Sequence, residues 1–230
     1  MKRLVSATQL TARLKGPLLG AVLITLLSSC LPAPSGPSLT SLRLVPEQGW
    51  STQDLLDRSE LPASRVRPLA EALRQAPVGS VLVACEFAAA LWGPCRHLTR
   101  KISEDTVAEE PGWFGRGATE RPLTSLLRRD LALVVTTGVR PEQIPALRRE
   151  VQRLWAAPYL LNGTLNAFDC GTYQNALQRA VGLPDAVPLD ARWGAYLPSG
   201  TLSVPTNTFL FAGASDRLMH RLMDPPVPAP

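Results

Sequence analysis

The chain has 230 residues, 45% of them hydrophobic, with 24 Lys and Arg against 19 Asp and Glu. Four of the basic residues, Lys2, Arg3, Arg13 and Lys15, precede Cys30, and the first acid is Glu47, so from Cys30 onward 20 basic side chains face 19 acidic ones. The basic excess therefore belongs to the N-terminal segment. The near-neutral remainder, without a basic patch, RNA-binding motif or zinc-finger spacing, excludes nucleic acid as a partner.

In chain order, the positive opening is followed by an apolar run at residues 18–27 (LLGAVLITLL). Ten residues fall short of the roughly 20 needed to span a bilayer as a helix, so the run reads as the core of an export signal. It ends in Leu27-Ser28-Ser29-Cys30, which looks like a lipobox. Small residues suit a chain lying extended in a peptidase cleft, and the cysteine sulfur is the atom that receives lipid. The expectation is a signal peptide over 1–29 and a lipid anchor on Cys30, holding the chain to a membrane of the cell envelope. Two or three acyl chains anchor stably where one does not. Leu31, in place of an Asp after the cysteine, favours the outer membrane in a cell that has two. Residues 30–45, rich in Pro and Ser, read as a spacer. Residues 46–223 read as one domain, and 224–230 (DPPVPAP includes Pro225 to Pro230) as an unstructured tail.

Within the domain, Ser51 with Asp54 resembles a capping box that opens a short helix. Residues 64–75 have helical spacing, with Pro68 near the first turn or kinking it. Residues 79–85 (GSVLVAC) read as a buried strand, 97–103 alternate at period two, and 106–110 follow as a short strand. Residues 131–136 (LALVVT) are the clearest strand. Pro141 opens a helix to about Trp155, with Ile144, Leu147, Val151 and Leu154 on one face. Residues 169–181 form another helix, stopped by Gly182. Residues 209–212 read as a last strand and 215–222 as a last helix. The class expected is α+β, a small antiparallel sheet packed with helices.

The chemistry-bearing residues are few. Besides Cys30 there are Cys85, Cys95 and Cys170. Cys85 and Cys95 flank a turn containing Gly93-Pro94 and are expected to pair as a disulfide in an oxidising envelope. Cys170 is then odd: either a small buried hydrophobe or a reactive thiol. Its place favours reactivity. Asp169 suits the helix N-cap, and Cys170 falls in the first turn, where unsatisfied N–H groups and the helix dipole stabilise a thiolate and an oxyanion. Gly171 is read as leaving the sulfur open to substrate. The histidines are His97 and His220. His220 reads as a surface-helix residue, whereas His97 starts a strand after a Gly-Pro turn, either aimed into a cleft or satisfied structurally.

The succession GSVLVAC, GPCRHLTRKI, TVAEEPGWFG, LALVV and the long stretch from PEQIPALRRE to FDCGTYQNALQRAVGL resembles the permuted NlpC-like papain-fold proteins, the YiiX-like group especially. The likeness covers about 78–183, with a faint echo of a late Thr-Pro segment in VPTNTF at 204–209. It implies a circularly permuted papain-like fold, Cys170 as nucleophile, His97 as base, and a third polar group from VAEE. Glu109 is the choice, since alternation places it with Val107 on one face; a register shifted by one exchanges it with Glu110. Tyr159 matches a tyrosine ahead of the cysteine and lines the cleft. The family commonly has serine after the cysteine, where this chain has Gly171.

The activity implied is a cysteine hydrolase or acyltransferase, of the thiol protease or amidase kind, acting on a peptide, a cell-wall peptide or a lipid-linked acyl group without cofactor or metal. The rival is a non-catalytic envelope lipoprotein that binds or scaffolds with the same fold, which a disulfide from Cys170 to Cys85 or Cys95 would enforce. A serine hydrolase lacks its G-x-S-x-G elbow, and a metalloenzyme lacks ligands. The five tryptophans either line a groove or anchor packing. A monomer is expected.

Overall fold

Continuous Val/Leu runs bounded by turn residues build the centre of the protein. The computed structural model describes residues 32–112 and 117–223. The expectations on the signal over 1–29, on Cys30 and on the tail from 224 lie outside the described residues. The chain divides at Ala33, and the description concerns the unit that begins at Pro34.

The elements are β1 (Arg43–Val45), α1 (Thr52–Arg58), β2 (Glu60–Pro62), β3 (Val66–Pro68), α2 (Leu69–Gln75), β4 (Val81–Ala90), β5 (Gly93–Lys101), β6 (Thr106–Glu109), β7 (Thr119–Pro122), β8 (Leu131–Thr136), α3 (Ile144–Arg153), α4 (Cys170–Ala180), β9 (Thr208–Ala214) and α5 (Asp216–Met223), with short 3-10 turns between some of them. Seven strands form one sheet in the order β3-β9-β8-β4-β5-β6-β7, while β1 and β2 pair separately. In the large sheet only the β3–β9 pair is parallel. The class is α+β, as the alternation of elements implies.

The two central strands are covered on both faces, which is why they read as unbroken apolar runs and not as alternation. Val81, Val83, Leu131 and Leu133 pack on one side with Leu39, Leu42, Leu55 and Leu61. Leu82, Ala84, Ala132 and Val134 pack on the other with Leu69, Leu73, Leu123 and Leu126. A third cluster joins Leu147, Val151 and Leu154 of α3 to Tyr173 and Leu177 of α4 and to Ala108 of β6. The face expected of the α3 segment is thus the buried one. Buried Arg100 fastens α4 to the sheet: its Nε donates to Gln174 Oε1 at 3.1 Å, and its Nη1 donates to Gly79 O and to Thr137 Oγ1 at 3.0 Å each. These bonds to neutral acceptors offset part of the cost of burying a guanidinium, whose Nη2 has no partner among the described residues and which burial lowers to about 9.

The capping box at α1 is present, with the Ser51 N–H donating to the Asp54 carboxylate at 2.8 Å. Four expectations differ from the structure. β5 begins at Gly93, so Gly93 and Pro94 lie inside the strand, the turn falls at residues 91–92, and His97 sits within the strand and does not start it. The helix foreseen over 64–75 begins only at Leu69, because Pro68 occupies its N-cap and residues 66–68 pair with β9 as a strand. β4 continues past Cys85 to Ala90, beyond the apolar run. The spacer reading of residues 30–45 fails from Ser35 onward. Ser35 N donates to Trp92 O at 2.7 Å, Ser38 N to Ser59 Oγ at 2.8 Å, and Leu39 is only 2% exposed. Pro and Ser content alone hid two leucines spaced to enter the core.

Leu39→Ala is accordingly expected to cost about 2–4 kcal/mol of unfolding free energy in urea titration. A spacer residue would change it by less than about 0.5 kcal/mol.

Candidate active site

The strand register brings the expected histidine and acid together. Ala84 pairs with His97 across β4 and β5, and Thr99 pairs with Glu109 across β5 and β6. Side chains two apart on a strand share a face, so Glu109 lies diagonally across from His97. Its Oε2 is 2.8 Å from His97 Nε2. Arg121, which sits opposite Val107 on the same face, donates from Nη1 to the other carboxylate oxygen at 3.0 Å. Both members of the central pair are buried, His97 at 9% and Glu109 at 3% exposure.

The sulfur arrives from α4. Asp169 caps this helix: its Oδ1 accepts from Thr172 N at 2.7 Å, and Thr172 Oγ1 accepts from Asp169 N at 2.9 Å. The cap consumes the third N–H of the first turn and leaves those of Cys170 and Gly171 as donors without an intrahelical partner. Cys170 is a free thiol of intermediate exposure, and its side chain hydrogen-bonds His97. Since Nε2 is taken by Glu109, Nδ1 is the ring nitrogen left for the sulfur. Cys85 and Cys95 lie directly opposite each other on β4 and β5 with their sulfurs 2.10 Å apart, so they form the expected disulfide and do not capture Cys170.

The charges follow from these contacts. Burial works against an imidazolium at His97. The hydrogen bonds and negative charge of Cys170 and Glu109 outweigh it and raise the group to about 9. For Glu109, burial raises the carboxyl, and the bonds from His97 and Arg121 overcome that and hold it below the usual carboxylate range. Glu110 goes the other way. It has 0% exposure, and neither of its oxygens makes a full hydrogen bond. Burial lifts it to about 7, against the loose approach of the Gly112 N–H and the pull of His97.

A cleft of about 310 Å³ opens over the sulfur, lined by Cys170, His97, Tyr159, Trp92, Trp193 and Tyr196 among others. Tyr159 therefore stands where it was expected. Gly171 does not. A Cβ there would lie 2.6 Å from Tyr196 Cβ and 2.8 Å from Tyr196 O. The glycine is buried and serves the close approach of the segment around Tyr196, not the entry of a substrate. That segment, Trp193 to Pro198, closes the cleft and was missed in the sequence, where only Trp193 stood out as an aromatic able to line a groove. Arg121 was missed too. Of the other tryptophans, Trp50 packs on Phe209 with ring centroids 5.5 Å apart, and Trp155 is exposed. His220 is exposed on α5. The VPTNTF segment lines no part of the cleft; Asn207 instead ties Ala186 O and Thr201 O together at 2.9 and 2.8 Å.

Glu110 makes a pH test of this geometry. A carboxyl raised in the folded state contributes stability below its ordinary value of 4.5 that is lost as pH rises through about 7. Glu110→Gln, which does not ionise, is expected to be more stable than the parent at pH 8, with the gap closing as pH falls toward 4.5. Urea titrations at both pH values check this, and a pH-independent difference would contradict it.

Comparisons of the chain with protein-family models, with curated proteins and with solved structures find no match.

Proposed function

We propose that the chain is a membrane-tethered cysteine hydrolase or acyltransferase of the permuted NlpC-like papain type, acting on an amide or ester. One observation carries the reading: a free cysteine in the first turn of a helix bonds a buried histidine whose other nitrogen is held by a buried carboxylate, at the base of a largely apolar cleft. The order in the chain, histidine strand, acid strand, cysteine helix, is the order of the family that the sequence resembles.

The roles follow from the chemistry of each group. With His97 raised to about 9, the ring is an imidazolium at neutral pH, the partner that a thiolate nucleophile needs. The sulfur attacks the substrate carbonyl carbon, forming the C–S bond. The first-turn N–H of Cys170, at the positive end of the helix, is the donor for the charge that develops on oxygen. The bond to the leaving oxygen or nitrogen breaks as that atom takes the proton of His97. Water, or another acceptor, then gives a proton back to His97 and attacks the thioester, releasing the acyl group and restoring the sulfur. Glu109 orients the ring and stabilises its charge. Trp92, Trp193, Tyr196 and Leu197 offer the acyl portion an apolar wall. The lipid anchor on Cys30, in the envelope, belongs to the same proposal and rests on the sequence.

Hydrolysis of acyl 4-nitrophenyl esters and anilides tests the reading. Cys170→Ala is expected to lower kcat/KM by about 10³-fold or more. The anilide profile should lose activity above pH 9 as His97 gives up its proton. In Glu109→Gln that basic limb should move to lower pH, since the carboxylate is one of the groups that raises the imidazole, and kcat should fall by about 10²-fold. Turnover that survives Cys170→Ala sinks the catalytic reading in favour of a binding protein.

The anchor has its own test. In cells fed radiolabelled palmitate, the parent chain should carry label and Cys30→Ala should not, and label retained in the variant would remove the lipid from Cys30.

A further inference from the structure

His97 borders two cavities. On one side lies the apolar cleft with Cys170; on the other lies a second cavity of about 600 Å³ that shares His97, Arg96 and Pro111 with the first. The second is built of charge. Arg96, Arg128, Arg129 and Arg217 line it against two carboxylates, Glu86 and Asp130.

Both acids are already engaged. Asp130 Oδ2 accepts the Phe87 N–H at 2.8 Å. Glu86 pairs with Arg129 and, at 3.3 Å, with Arg96. Neither Arg128 nor Arg217 forms an ion pair among the described residues, and Asp130, the one cavity carboxylate outside an ion pair, leaves four guanidinium groups facing two acids. Arg217 places its guanidinium carbon over the Phe87 ring, 4.5 Å from the centroid, which holds it at the cavity wall. Arg129 is held by its ion pair with Glu86, and its buried Nε has no acceptor among the described residues. A concave site with more guanidinium groups than carboxylates suits a planar or tetrahedral oxyanion, because the arginine fork matches carboxylate and phosphate oxygens.

The position of this cavity relative to the reacting atoms gives it a role. The proton of His97 must pass to the leaving atom, which therefore lies within hydrogen-bond reach of the ring. The acyl side of the substrate lies over the sulfur, so the leaving group extends past His97, and the arginine cavity is the space beyond. We infer that the substrate's leaving group carries an anionic group, a phosphate or a carboxylate, that seats among Arg128, Arg129 and Arg217. This rests on the catalytic reading above and narrows its substrate class to an apolar acyl group joined through an ester or amide to an anionic alcohol or amine. In the reaction the C–S bond forms, the C–O or C–N bond breaks, the His97 proton goes to the leaving atom, and the anion departs with its charge unchanged.

Two esters with the same medium-length acyl chain test it, one a 4-nitrophenyl ester and the other its 3-carboxy-4-nitrophenyl counterpart. At low ionic strength the parent chain should favour the carboxylated ester in kcat/KM by on the order of tenfold, and added salt should shrink the preference. In an Arg128→Gln, Arg217→Gln double variant the ratio of the two kcat/KM values should fall toward that of the uncatalysed esters. Because it is a ratio within one preparation, a partly folded variant does not distort it. No preference in the parent chain, or one unchanged in the variant, overturns the inference. If neither ester is hydrolysed, the catalytic reading fails on its own, and binding to the Cys170→Ala chain still decides the cavity. Inorganic phosphate should raise the melting temperature of that chain and not that of the chain carrying the double variant as well. Vesicles of neutral lipid with and without phosphatidic acid then separate the sources: retention on the acidic vesicles alone marks a lipid-borne anion, stabilisation by phosphate without vesicle retention marks a soluble one, and neither response overturns the site.

Discussion

The hydrogen bond between His97 and Glu109 depends on a register that three strands set jointly. β4 fixes the face of His97 through the Ala84 pair, β6 brings Glu109 opposite Thr99, and β7 brings Arg121 opposite Val107. A slip of one residue between β5 and β6 puts acid and histidine on opposite sides of the sheet, and one between β6 and β7 takes Arg121 away from both. Burying a carboxylate is costly, and here two charge-assisted bonds, at 2.8 Å to His97 and 3.0 Å to Arg121, offset that cost. The three groups hold one another: without Arg121 the carboxylate has one partner fewer, and without the carboxylate the imidazolium has only the sulfur. The disulfide between Cys85 and Cys95 sits two residues before His97 and ties β4 to β5 where their register shifts, a local constraint on the strand that carries the histidine.

The neighbouring acids Glu109 and Glu110 show how one peptide unit separates two chemistries. Both are buried. Glu109 has two cationic partners and stays charged, whereas Glu110 points to the other side, finds no full hydrogen bond, and is raised to about 7. Burial is the main cause, and the charges of Glu109 and Asp169, which a second carboxylate charge would meet, add to it. Below about pH 7 Glu110 is mostly neutral, and Glu109 is then the charged carboxylate that serves the imidazole.

What the sequence disclosed about this arrangement was local pattern. Alternation over TVAEE placed Glu109 with Val107, the Asp169 cap and Gly182 stop framed α4, and the Val/Leu runs announced β4 and β8, because each signal lies within a few residues of the feature it specifies. The rest depended on partners far along the chain. Arg121 is an ordinary basic residue until β7 pairs with β6. Residues 193–198 carry only an isolated bridge at Ala195 and the first residue of a 3-10 turn at Pro198, and Gly171 lets Tyr196 approach the helix. Leu39 and Leu42 lie in a Pro/Ser-rich stretch whose composition argues for a spacer, yet the core has room for them, and burial of two leucines outweighs the ordering cost of a short segment. Gly171 was misread for the same reason: a glycine beside a nucleophile looks like access until the opposing backbone is seen.

The two cavities that flank His97 give the ring a geometric task beyond acid–base chemistry. One is largely apolar and holds the sulfur; the other is lined by arginines and holds no reactive group. An imidazolium between them belongs to both environments, since its charge adds to the positive field of the arginine side while its Nδ1 edge serves the sulfur. Raising His97 to about 9 next to four arginines runs against simple repulsion. The contacts that achieve it are the short-range ones to Cys170 and Glu109, and Glu86 and Asp130 stand among the arginines to temper the field. An anion arriving in the arginine cavity would reinforce the same balance by adding negative charge near the ring, so binding there would favour the protonated imidazole that the proposed mechanism uses as its acid. Occupancy of the polar side and readiness of the acid on the apolar side are then linked through a single electrostatic coupling across one histidine.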